Sequence, residues 1–224
     1  MRIKTVDLTR KFHVGSSEIA AVDKVNLEVK EATFIAIVGP SGSGKSTLLN
    51  LLGLNDYPTN GKILIDNVDA SLLSSRERRR LRLLRMGFVF QTFNLIPTLN
   101  ALENVELPLA LAGKPFEEQR SKAAKLLESV VLERRFGHRP KELSMGEMQR
   151  VAIARAIAND PEILIADEPT GELDSKTAEE IIGLVSDVNK RRKTTVIVAT
   201  HDQKIVEVAD VIYTIEDGKL ELER

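Results

Sequence analysis

Two periodicities alternate along the chain. Short, continuous apolar runs recur at Phe34–Val38, Ile163–Ala166, Thr195–Ala199 and Val211–Ile215; they are rich in β-branched residues and too brief for helices. Such runs predict strands buried on both faces of a parallel sheet. Among them lie stretches with helical spacing, at Ser46–Leu52, Glu117–Arg135, Gly146–Ala158 and Lys176–Lys190. Near the start the texture differs. Strand-like runs at Ile3–Leu8, Val25–Val29 and, after the Asn60-Gly61 turn signal, Lys62–Asp66 predict a small, mostly antiparallel sheet. From about Leu95 to Asn159 the chain turns helical, interrupted by Pro97, Pro108, Pro115 and Pro140. The expected fold class is α/β in one domain: a core of residues 1–91 and 160–224 around an inserted helical subdomain, residues 92–159.

Composition narrows the classes. With 42% hydrophobic and 29% charged residues in 224, the chain is globular, and a net charge of −1 gives no basis for broad nucleic-acid or membrane affinity. No apolar run approaches the ~18 residues of a membrane span, and the first residues lack the apolar core of a signal peptide, so a soluble, cytoplasmic protein is expected. There is no cysteine and only three histidines, which removes disulfides and cysteine-ligated metals. Arg76, Arg78, Arg79, Arg80, Arg82 and Arg85 cluster around Leu81 and Leu84. That spacing predicts an amphipathic helix with its arginines outward, in preference to a nucleic-acid or lipid patch, since Glu77 interrupts the cluster.

The chemistry begins at Gly39–Thr47, GPSGSGKST, which fits the phosphate-loop pattern G-x-x-x-x-G-K-[ST]. Backbone N–H groups must turn inward there and approach phosphate oxygens closely, and glycines permit it. The loop joins a predicted strand to a predicted helix whose N-terminal partial charge would face the phosphates. Gly39, Ser41, Gly42, Ser43, Gly44, Lys45, Ser46 and Thr47 are the candidate nucleotide-binding residues, with the Ser46 hydroxyl on Mg²⁺. Ile163–Glu168 then places two carboxylates at the end of a buried strand, where open α/β sheets bind ligands. Asp167 is the expected Mg²⁺ ligand, and Glu168 the group that orients and deprotonates water.

Leu143-Ser-Met-Gly-Glu147, followed by MQRVAIARAI, is similar to the signature motif of ATP-binding-cassette (ABC) proteins, usually LSGGQ. Gln91 in FVFQTFNL resembles the family's Q-loop, Gly171–Asp174 its D-loop and His201 its switch histidine; Phe12 stands where the family places an aromatic on adenine. The resemblance spans nearly the whole chain, and the wording of FVFQTFNLIPTLNALENVELPL and DEPTGELDSKT resembles the ATPases of lipoprotein-releasing, macrolide-exporting and cell-division permeases. It departs at Met145 and Glu147, which stand for the family's glycine and glutamine and are expected to cost backbone freedom and add negative charge near an incoming anion.

The resemblance implies an ATPase subunit of a membrane transporter, peripheral on the inner face of the membrane. Two copies would close head to tail around two ATP–Mg²⁺. One copy supplies the phosphate loop, Phe12, Gln91 (a second metal contact), Asp167, Glu168 and His201; the other supplies Ser144, Gly146 and Asp174. Integral membrane permease subunits are the expected partners. The rival expectation is a soluble ATPase of the same fold acting on nucleic acid or ribosomes, but the coiled coils, zinc modules or tandem cassettes of such relatives are not visible here.

Overall fold

The computed structural model describes residues 1–15 and 17–224. Strands β1 (Ile3–Val14) and β2 (Ser17–Val25) pair antiparallel, and β3 (Glu28–Val29) pairs with β1. Next, β4 (Phe34–Val38) leads through a loop into α1 (Lys45–Leu52). The hairpin of β5 (Asn60–Ile65) and β6 (Val68–Asp69) joins the first sheet by pairing β5 with β1. There follow α2 (Ser75–Arg85), β7 (Met86–Val89), α3 (Ala101–Leu111), α4 (Phe116–Ser129) and α5 (Met145–Ala156). The chain closes with β8 (Ile163–Asp167), α6 (Ser175–Arg192), β9 (Thr195–Thr200), α7 (Gln203–Val208), β10 (Val211–Glu216) and β11 (Lys219–Leu222).

The second sheet runs β11-β10-β4-β9-β8-β7, parallel throughout except for the β10–β11 edge hairpin. Side chains alternate across a strand, so the central strands feed two cores. Ile35, Ile37, Ile165 and Ile197 pack against α1 and the antiparallel sheet, while Phe34, Ala36, Leu164 and Val198 pack with residues of α3, α4, α5 and α6. The mixed α/β class with antiparallel and parallel sheets is the one the residue pattern predicts. Parallel pairing also puts the C-terminal ends of β4, β7, β8 and β9 along one edge, which positions the site.

Three local readings are corrected. First, the helix expected over Glu117–Arg135 stops at Ser129. Leu132 N–H reaches Leu127 O and Val131 N–H reaches Glu128 O, with Val131 at φ 61. This is the Schellman stop, made with a valine where glycine is usual. Secondly, Pro108 does not interrupt its segment but lies inside α3. Thirdly, the arginines of α2 do not all face outward. Arg78 is buried, donates to the carbonyls of Asp56 (2.8 Å) and Leu54 (3.2 Å), and stacks 3.9 Å over the Tyr57 ring. Arg82 donates to the same Leu54 carbonyl at 2.7 Å. Carbonyls left over where α1 ends thus draw two cations inward.

Candidate active site

The loop from Gly39 to Thr47 crosses the end of β4 and opens α1. Gly42 (φ 80) and Gly44 (φ 108) take left-handed conformations that a side chain would strain. At Gly44 a Cβ would also overlap the Ala21 carbonyl of β2, so that glycine is required by packing as well as by conformation. No side chain among the described residues caps α1. Its first-turn N–H groups therefore remain for an anion, with the helix dipole behind them.

Lys45 is buried, and its ammonium donates to Gly39 O at 2.8 Å and Pro40 O at 3.0 Å while lying 3.9 Å from Glu168 Oε1. These bonds hold the charge over the loop. Gly39, Ser41, Gly42, Gly44, Lys45, Ser46, Thr47, Gln91, Glu168 and His201 line a cleft of about 500 Å³ with Ala21 and Pro40. Ser43 points away, its hydroxyl buried and without a partner.

Asp167 ends β8, with one oxygen, Oδ1, buried and unpartnered. Burial pushes its carboxyl up from the ordinary range, and the Glu168 charge adds to this, against the hydrogen-bonding Ser46 hydroxyl and the Lys45 charge. An unmet carboxylate oxygen beside a hydroxyl is a donor set that suits a hard divalent cation. Glu168 follows at φ 46, a conformation that costs a non-glycine residue about 1–3 kcal/mol and persists only where its surroundings enforce it. Its Oε2 is buried 2.9 Å from His201 Nδ1, but the ring N–H is off line for a hydrogen bond. Gln91, just beyond β7, donates to Glu172 at 3.3 Å.

Besides Ser43 and Asp167, four predicted site residues lie outside this cleft's lining. Ser144 is the N-cap of α5, accepting from Glu147 N–H, while the Glu147 carboxylate accepts from Ser144 N–H. Gly146 follows in the first turn. Asp174 caps α6, both carboxylate oxygens engaged by Lys176 and Thr177, and the Thr177 hydrogen bonds hold its carboxyl below the usual range. Phe12 is 40% exposed on β1, with the Arg10 guanidinium 4.7 Å over its ring. The charge expected at Glu147 is largely spoken for. Burial acts against ionisation, but Ser144 N–H and the Arg135 guanidinium, 2.6 Å away, keep this carboxyl below its ordinary range.

Sequence reading missed Arg155 and Gln149. Arg155 of α5 donates to the carbonyls of Phe93 (2.9 Å) and Asn94 (2.6 Å), both at positive φ just after Gln91. Gln149 of α5 is fully buried and donates to Pro169 O. One signal was available: Gln149 shares a helical face with Ala152, Ile153 and Ala156, an amide on an apolar stripe.

Comparison with known proteins agrees with this geometry. A family model described as "ABC transporter" matches residues 22–171. An uncharacterised ABC transporter ATP-binding protein of Methanocaldococcus jannaschii is 48% identical over 99% of this chain and 96% of its own. That protein's cassette, solved as a dimer in a post-hydrolysis state bound to ADP and Pi, covers 99% of this chain and 98% of its own with a TM-score of 0.93 at 45% identity. The lipoprotein-releasing system ATP-binding protein LolD of Legionella pneumophila is 44% identical over 95% of this chain and 94% of its own. The macrolide export ATP-binding/permease protein MacB of Brucella melitensis is 45% identical over 97% of this chain, which spans 34% of that longer protein. These relatives give the nucleic-acid and ribosome rival no support. A phosphate loop, two carboxylates at a strand end and a signature helix, set in a fold shared with solved cassettes, place this chain in the ABC transporter family as an ATP-binding, ATP-hydrolysing subunit.

Proposed function

We propose that two copies of this cassette close head to tail around two ATP–Mg²⁺ and through that closure drive separate membrane subunits. The observation that carries the reading is that one chain gathers only part of a site. Its cleft holds the phosphate loop, Gln91, Glu168 and His201, whereas Ser144 and Gly146 stand elsewhere, at the N-terminus of α5. A second copy offering that end would complete the cradle around the γ-phosphate, with Asp174 nearby and Phe12 stacking on adenine.

Within the completed site Lys45 balances charge on the β- and γ-phosphates. Ser46, Asp167 and Gln91 would hold Mg²⁺, which when bound offsets phosphate charge. Glu168 takes a proton from water as the water oxygen bonds to the γ-phosphorus and the bond to the β–γ bridging oxygen breaks, releasing ADP and phosphate. His201, 2.9 Å from the Glu168 carboxylate, lines the same cleft and would reach the γ-phosphate beside it. Loss of the bridging charge reopens the pair.

No helix among the described residues is long and apolar enough to cross a membrane. In this reading the membrane half of the transporter is a separate permease subunit, and this cassette sits against it on the inner face. The Brucella relative, named as both ATP-binding protein and permease, supports a permease as the partner class. A groove of about 820 Å³ between α2 and α3, floored by Leu83, Phe88, Phe90 and Leu111 and rimmed by Arg76 and Arg79, suits an apolar cytoplasmic segment of that partner bearing acidic side chains. Substrate choice belongs to the membrane chain.

Lys45→Ala tests the assignment. ATPase activity should fall at least about 100-fold, the scale of losing one well-placed electrostatic group, with the circular dichroism spectrum unchanged. A rate near wild type would remove the phosphate-loop reading.

A further inference from the structure

The turn from Glu168 to Asp174 joins β8 to α6, and its first residue is conformationally strained twice over. Glu168 has φ 46, in the left-handed region, and it precedes Pro169, whose ring restricts the residue before it to extended backbone. Such a conformation persists only where neighbouring groups enforce it, and three ties do so here. Glu168 N–H donates to Ala199 O of β9 at 2.9 Å. The Thr170 hydroxyl donates to Asp202, next to His201, at 3.0 Å. The third tie comes from the opposite side: Gln149 Nε2 donates to Pro169 O at 2.7 Å.

The Gln149 tie is the unusual one. This side chain is 0% exposed, yet its Oε1 is buried with no partner, so the amide has been taken out of water for a single strong hydrogen bond. A proline carbonyl can only accept, which fixes the orientation of the amide. A hydrophobic residue of the same length would fill the space without the desolvation cost. The helix bearing Gln149 is also the one whose N-cap is Ser144.

We propose that Gln149 is a positioning residue for Glu168: its amide fastens the signature helix to the strained turn, so that the carboxylate stays aimed into the cleft and moves with α5. The proposal rests on the reading of Glu168 as the base.

Gln149→Met, which keeps length and volume but removes the donor, tests it in the full chain, beside Glu168→Gln. The rate at saturating ATP should fall about 10- to 100-fold, the scale on which small misplacements act, with KM for ATP changed less than about twofold and ATP-driven dimerisation retained. A merely structural role would lower melting temperature without this split between kcat and KM. Gln149→Asn, which keeps the amide but draws it back by one methylene, should show the same split and decides the matter should the methionine variant not fold. A rate within about twofold of wild type in a folded Gln149 variant, while Glu168→Gln is inactive, would overturn the positioning role alone. Full activity in Glu168→Gln would instead remove the base assignment on which it stands.

Discussion

Gly146, in the first turn of α5, packs directly on Thr177, in the first turn of α6: a Cβ on Gly146 would lie 2.5 Å from the Thr177 methyl carbon. The signature glycine therefore has an intramolecular reason to be glycine, apart from any phosphate it meets. Thr177 in turn donates to Asp174 at 2.6 Å, so displacement of its side chain reaches the D-loop. On helix propensity alone Gly146→Ala would gain ~1 kcal/mol. The collision should cancel that gain and lower ATPase activity about tenfold, since sub-ångström shifts near a shared site are costly. Adding Thr177→Ser removes the offending methyl but keeps the hydroxyl on Asp174, so the double variant should regain most of the activity. Equal activity of the single and double variants would show that this contact does not position the site.

Phe12 presents an exposed ring braced from one side by Arg10, itself 2.9 Å from Asp56. If ATP is held with adenine on that ring, Phe12→Ala should weaken ATP binding by on the order of 1 kcal/mol, roughly fivefold. Calorimetric titration of ATP into both proteins checks this. Equal affinity would leave Phe12 as part of the β1–β2 hairpin only.

Glu106 of α3 is buried, with Oε1 unpartnered and Arg120 3.6 Å away. Burial raises its pKa, Glu103 adds to the rise, and Arg120 opposes it. A carboxyl raised on folding binds its proton more tightly in the native state. Its contribution is therefore fully favourable below the ordinary carboxylate pKa and is lost as pH rises through the raised value. Glu106→Gln should accordingly raise the melting temperature at pH 7, by roughly 2–4 °C for a gain near 1 kcal/mol, and give little or no gain at pH 4. A gain at pH 4 as large as at pH 7 would contradict the burial argument.

Much of the site was legible because its chemistry is local. Gly42, Gly44 and Lys45 follow one another in a fixed pattern, and Asp167 and Glu168 end a run that can only be a buried strand. The residues that were misread answer to distant partners. Arg78 is drawn inward by carbonyls of Leu54 and Asp56, more than twenty residues away, and nothing in SRERRRLRLLR distinguishes it from its neighbours. The end of α4 is hidden because Val131 takes the left-handed position usually given to glycine. Glu147 reads as an unmet negative charge until the fold brings Arg135 to it. Gln149 stands on an apolar helical stripe in the sequence, but its partner appears only when the fold places Pro169 beside it.

The account stands or falls on Glu168 acting as the base in a site shared by two copies. Glu168→Gln keeps the shape of the side chain but cannot take the proton, so turnover should fall about 10²- to 10⁴-fold while ATP binding survives. The decisive measurement is the molar mass by light scattering at saturating ATP and Mg²⁺. The account predicts that this variant accumulates as an ATP-bound dimer of twice the chain mass, 24.9 kDa each, while wild type returns to monomer as ATP is consumed. A variant that binds ATP yet remains monomeric, or one that hydrolyses ATP at the wild-type rate, would contradict it.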